Sequence, residues 1–197
     1  MNSKRSIYFV ITLTLLLTSC VPKVGKVKDF TKDELNWFKP FGKTDTVIYI
    51  SEKSELDTII FHKTVADNDS TRDLEQGFSN TNYLTVPYEF TKGSYHQLAL
   101  MSDGKIRYSQ AIFNLSKSSS DYGSLEIIFI GIIFNGEELK NIKKLNKHIY
   151  FFDGEKATYP MVNVEKKIKN FTFDTEIGVT NYTDDRNVNW KRKKDCR

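Results

Sequence analysis

Cysteine is almost missing from this chain of 197 residues: there are two, Cys20 and Cys196, too few for a disulfide framework. Histidine is nearly as scarce. His62, His96 and His148 lie far apart with no paired spacing of the HExxH kind, so the sequence spells out no zinc motif. Strands spaced about 4.8 Å apart could still gather them, but half-buried, hydrogen-bonded histidines are the plainer reading. No apolar run reaches the roughly 20 residues of a spanning helix. There is no GxGxxG unit between a strand and a helix and no GxSxG elbow, which removes the usual dinucleotide and serine-hydrolase signatures. Asp67-x-Asp69-x-Thr71-x-Asp73 has the rhythm of a calcium loop. Arg72 stands where the turn glycine is needed and Phe78 where the bidentate acid belongs, so it reads as an ordinary polar loop. Cofactors and metals are therefore not expected.

What is present is concentrated first at the N-terminus. Lys4 and Arg5 precede an apolar stretch from Ile7 to Leu17, broken only by Thr12 and Thr14, and small residues then lead into Cys20. That is the three-part layout of a secretory signal over residues 1–19. Leu17-Thr18-Ser19-Cys20 resembles the lipobox of bacterial lipoproteins. The resemblance implies cleavage between Ser19 and Cys20, a diacylglyceryl group on the Cys20 thiol and an acylated new amino terminus. Two or more acyl chains, at about 0.8 kcal/mol per buried methylene, would hold a soluble domain on a bilayer. Val21 follows the cysteine, where lipoprotein sorting uses aspartate for inner-membrane retention. No acid-rich export stretch lies between Val21 and Lys28. The expected address is the periplasmic face of the outer membrane.

Losing Lys4 and Arg5 with the signal brings the formal charge of +4 close to neutral. No basic excess or recognition motif points to nucleic acid. Residues 20–34 read as the lipidated cysteine and a tether, with Lys23, Lys26, Lys28 and Lys32 able to rest on anionic headgroups. A single domain spans residues 35–192, and residues 193–197 form a basic tail. With Cys20 lipidated, Cys196 has no partner in the chain and reads as an exposed terminal thiol.

Within the domain, short β-branched and aromatic runs recur. Thr46–Ile50, Asp57–Val65, Thr81–Phe90, a hairpin around Ser102-Asp103-Gly104, residues 148–153 and 157–164, Ile168–Asp174, Ile177–Tyr182 and Val188–Lys191 all predict strands. Pro87 predicts an edge strand or a bulge. Residues 67–80 and 116–124 read as polar loops. Ile127–Phe134, apolar on both faces, is expected as one central strand, with Gly131 at a close approach. Residues 137–147 fit either a short helix or a returning strand, and the preceding Asn135-Gly136 favours a hairpin. Together these predict an all-β, mainly antiparallel barrel or sandwich that leaves room for one short helix.

The order FTFDTEIGVTNYTDDRNVNWKR at residues 171–192 resembles the C-terminal end of small uncharacterised lipoproteins of the Bacteroidota type. It implies fold and envelope residence, and no activity. This sequence lacks the turn glycine often found before the tryptophan. Asp45-Thr46-Val47, Asp57-Thr58-Ile59 and Asp69-Ser70-Thr71 resemble the O-glycosylation signal of the same bacteria. Adjacent carboxylates, Glu137-Glu138 and Asp184-Asp185, would point to opposite faces of a strand and do not make an acid–base pair. No catalytic, cofactor or metal residue is assigned; Cys20 is the one site. The leading expectation is a non-catalytic binding or scaffolding protein, held to the membrane by its lipid and partnered by an envelope protein. A β-barrel around a small apolar ligand and an envelope hydrolase are the alternatives.

Overall fold

The computed structural model describes residues 26–73, 77–90, 98–100, 106–108, 111–119, 123–157 and 168–193. The signal sequence, Cys20, His96, residues 158–164 and Cys196 lie outside them. One short helix, α1 (Lys32–Asn36), opens the described fold and runs on into a 3-10 turn at Lys39–Phe41. Fourteen strands follow, grouped by chain order as β1 (Asp45–Ser51), β2 (Leu56–Phe61), β3 (Val65–Asp73), β4 (Gly77–Phe90), β5 (Leu98–Leu100), β6 (Ile106–Tyr108) and β7 (Ala111–Ser118). Then come β8 (Ser124–Phe129), β9 (Ile132–Asn135), β10 (Lys143–Lys144), β11 (Ile149–Asp153), β12 (Ile168–Asp174), β13 (Gly178–Asp184) and β14 (Asn189–Arg192).

All but β5 and β6 join one antiparallel sheet in the order β10-β11-β12-β13-β14-β1-β2-β4-β7-β8-β9, with β3 paired to β4 below β2. The expected all-β class holds, and the sheet curls into a half-barrel. Its two ends approach each other: the Ile168 amide donates to the Ile130 carbonyl at 3.2 Å, and Phe134 of β9 meets Phe152 of β11 edge-on at 5.4 Å. The segment that follows the short helix, Trp37 to Phe41, turns its aromatic residues into the hollow. Trp37 lies within 5.7 Å of the rings of both Phe113 and Phe173, and Phe41 packs between Phe61 and Phe173. Phe152 and Phe171 stack in parallel at 4.2 Å. Such ring pairs add about 0.5–1.5 kcal/mol each beyond simple burial, so the aromatic content goes into filling the interior.

Several local expectations are corrected. Ile127–Phe134 is not one strand, and it lies towards an end of the sheet order, not its middle. It is a hairpin, β8 and β9, turning at Ile130-Gly131 with φ of 42° and 86°. Positive φ at both positions is the two-residue turn the sequence offered at Asn135-Gly136. There the chain instead runs extended at Asn135 and enters a 3-10 helix, Gly136–Asn141, before the two-residue β10. A β-branched residue is strained at positive φ, and tertiary contacts hold Ile130 there. Its side chain is 1 % exposed, its amide donates to Tyr88 Oη at 3.0 Å, and its carbonyl takes the Ile168 bond. Gly131 is thus a turn residue. Burial of both faces holds only in part: Ile127, Phe129, Ile132 and Phe134 are sealed on the inner face, whereas on the outer one Ile128 is 9 % exposed and Ile133 half-buried.

Of residues 67–80, expected as a loop, 74–76 lie outside the described residues, and 67–73 belong to β3 and 77–80 to β4. Their outer ladder has no apolar alternation and is joined by polar side chains, Asn68 to Asn82 at 2.6 Å and Ser70 to Asn80 at 2.7 Å. Pro87 sits in an interior strand, where a register shift between Val86 and Pro87 absorbs its missing donor. The serine-rich segment is strand at both its ends, since β7 extends to Ser118 and β8 starts at Ser124.

Candidate functional site

The strand alternation that buries Phe113, Leu115, Ile127 and Phe134 turns the intervening side chains outward. Register sets them in two rows across the sheet. One row runs Thr85, Asn114, Glu126, Asn135, and the next runs Tyr83, Ser116, Ser124. All of these but Thr85, with Leu125 and Gly136, line an open trough of about 580 Å³ on β4, β7, β8 and the end of β9. Asn114 Nδ2 donates to Glu126 Oε2 at 3.3 Å, and the hydroxyls of Ser116 and Ser124 share a hydrogen bond at 2.8 Å. These cross-strand bonds fix the side chains while leaving lone pairs and protons for a ligand. Among the described lining residues Glu126 is the single carboxylate, and no lysine or arginine joins it. The signal for this surface was available in AIFNLSKS, where Asn114, Ser116 and Ser118 alternate with Phe113, Leu115 and Lys117. Reading residues 116–124 as a loop hid it.

Comparison with protein-family models, with curated proteins and with solved structures finds no match. The trough has to be read from its own chemistry.

The residues singled out in the sequence do not assemble into a second centre. His62 faces Glu89, with Nε2 to Oε1 at 3.4 Å, on the link from β2 to β3. His148 lies before β11, its Nδ1 3.4 Å from the Thr175 hydroxyl. Among the described residues no group of three or more histidine, cysteine or acidic side chains is placed to hold a metal. Asp67 and Asp69 sit on β3 facing Tyr83 and Thr81, so the calcium-loop rhythm is strand alternation. Glu137 belongs to the 3-10 helix and pairs with Lys140 at 2.6 Å.

Asp184 is a structural acid. It is 1 % exposed and accepts from the amides of Arg186 and Val188, from the Arg186 guanidinium and from Trp190 Nε1. Burial alone would raise its pKa, but these donors hold it below the ordinary carboxylate value. Around it the C-terminal pattern becomes a packing unit. Tyr182 and Trp190 pair across β13 and β14 with rings stacked at 6.0 Å, and the Tyr182 hydroxyl donates to Asp57. Burial, then the nearby Asp57 charge, pushes the Tyr182 phenol well above its ordinary pKa.

A second polar cluster fixes the entry of the chain. Thr31 and Glu34 close a capping box on α1, and Glu34 also receives Lys117 Nζ at 2.8 Å. Lys117 donates as well to the Asp29 carbonyl at 3.0 Å and lies 5.7 Å from the centre of the Phe30 ring. Residues 29–34, expected as the end of a free tether, are thereby seated on the sheet. Lys117, expected exposed in a loop, is 6 % exposed.

Proposed function

We propose that the chain is a lipid-anchored protein of the bacterial cell envelope whose β domain acts by binding, through the polar trough on β4, β7, β8 and β9. The observation that carries the reading is the pair of ordered polar rows on an outer face. Aromatic side chains occupy the interior, where a small apolar ligand would have to sit, so binding is assigned to the outside.

Anchoring rests on Leu17-Thr18-Ser19-Cys20, and the seated N-terminal segment gives it a geometric consequence. Eight residues lie between Cys20 and Asp29, a reach of at most about 30 Å. The chain enters at Lys117, on the face of β7 opposite Ser116 and the trough, so the lipid would hold the domain within that reach of the membrane with the trough on the other side of the sheet from the entry. The expected address is the periplasmic face of the outer membrane. A photoreactive amino acid placed at Ser116 in intact cells tests the binding reading. The same label at exposed Lys191 on β14 is the control. Adducts confined to position 116 are expected; equal adducts at both positions, or none at 116, would end it.

A further inference from the structure

We infer that the trough takes an uncharged, hydroxyl-rich ligand of the carbohydrate type. This rests on the trough being the binding surface, and adds the ligand class. The donor and acceptor inventory is the first ground. Asn114 and Asn135 each offer an amide that donates and accepts, and Ser116 and Ser124 each offer a hydroxyl that does both. A sugar hydroxyl, itself donor and acceptor, matches such two-way groups, whereas a ligand with acceptors alone leaves half of them unused.

Charge is the second ground. With Glu126 as the only carboxylate and no lysine or arginine among the described lining residues, a phosphate or carboxylate would be repelled and would find no cation there. Glu126 also has one oxygen already engaged by Asn114, which suits it to accept from a hydroxyl and makes it a poor lone counter-ion for a cation. Shape is the third. The lining sets a polar side chain on each of four strands, Tyr83 on β4, Asn114 and Ser116 on β7, Ser124 and Glu126 on β8 and Asn135 on β9, spread over about 14 Å at strand spacing. An open trough of about 580 Å³ across these strands admits a short chain of rings, and Tyr83 is the one aromatic side chain among the described lining residues, a surface for their C–H faces.

The experiment is calorimetric titration of the full chain in detergent with maltotriose, cellobiose and N,N′-diacetylchitobiose. A galacturonic acid trimer is the anionic probe and a neutral pentapeptide the non-sugar probe. At least one neutral sugar should bind, and more tightly than the anionic trimer. Asn114→Ala and Glu126→Gln should each weaken it about tenfold or more, the loss of one hydrogen bond to a charged or amide partner. Lys191→Ala should leave it unchanged. Matching thermal melts of the variants separate lost contacts from lost fold. Sugar binding that ignores both trough substitutions overturns the inference, as does preference for the anionic trimer. Peptide binding that the trough variants abolish overturns the sugar class and leaves the trough as the binding surface. If none of the probes binds, the inference also falls, while labelling at Ser116 decides the binding reading separately.

Discussion

Replacing Lys117 with methionine tests how the N-terminal segment is held, and its size can be worked from the contacts. The substitution keeps the length and volume of the side chain in a site that is 6 % exposed. It removes the ammonium that reaches Glu34 at 2.8 Å and the Asp29 carbonyl at 3.0 Å. A hydrogen bond to a charged group is worth about 1.5–3 kcal/mol. The Glu34 side chain is 27 % exposed and keeps its Thr31 donors, so water recovers part of that loss. The net cost should be about 1–2 kcal/mol, a melting shift of about 2–8 °C for a domain of this size. Lys117→Asp, which buries a second carboxylate beside Glu34, should cost about 3–5 kcal/mol.

The pH dependence gives a second, independent reading of the same contact. Burial raises the Glu34 carboxyl, but the Lys117 bond and the Thr31 donors more than offset it and hold the group below its reference value of 4.5. A depressed carboxyl contributes stability that is complete above the unfolded value and is lost as pH falls through the folded one. The wild type should therefore lose this contribution on acidification below about pH 4.5, and Lys117→Met should lose less over the same range. Hydrogen exchange should localise the change to the amides of residues 29–38. If Lys117→Met melts with the wild type and keeps its full acid dependence, the segment is not clamped by this lysine and the reasoning is wrong.

Two further perturbations address other parts of the fold. Asp184→Ala removes the acceptor of two turn amides and of Trp190 Nε1 and should cost about 3 kcal/mol, read by denaturant unfolding; a loss under about 1 kcal/mol would show that water replaces the carboxylate. Ile130→Gly relieves a positive φ worth about 1–3 kcal/mol but deletes a sealed side chain whose loss costs about 2–5 kcal/mol, so a net destabilisation is expected; a rise in melting temperature would mean that strain, not packing, dominates the turn.

The strands legible in the sequence are those with one apolar face. Thr46–Ile50, Thr81–Phe90 and Ile168–Asp174 alternate against a buried side, and each is found as a strand or part of one. What escaped had lost that contrast. β3 carries polar residues on both faces and is held by its ladder to β4 and by Asn68 and Ser70, so nothing in its own composition marks it as a strand. The Ile130-Gly131 turn failed for the opposite reason: the isoleucine reads as strand interior, and the bonds that fix the bend come from Tyr88 and Ile168, both distant in sequence. The trough depends on register between β4, β7, β8 and β9, which places Asn114 beside Glu126 although twelve positions separate them. Its residues are common surface types, and pairing across strands is what groups them. Lys117 was misjudged because its partners, Asp29 and Glu34, come from a segment that composition marks as solvated.

The account turns on where the chain is held, and the most direct measurement is the intact mass of the protein purified from its own membranes. Residues 1–19 should be gone, and the mass should exceed that of the chain beginning at Cys20 by a diacylglyceryl group and one further acyl chain. Cys20→Ala should abolish both the added mass and the cleavage. A species that keeps Met1, or one that begins at Cys20 with no lipid and leaves the membrane in buffer alone, would contradict the anchor.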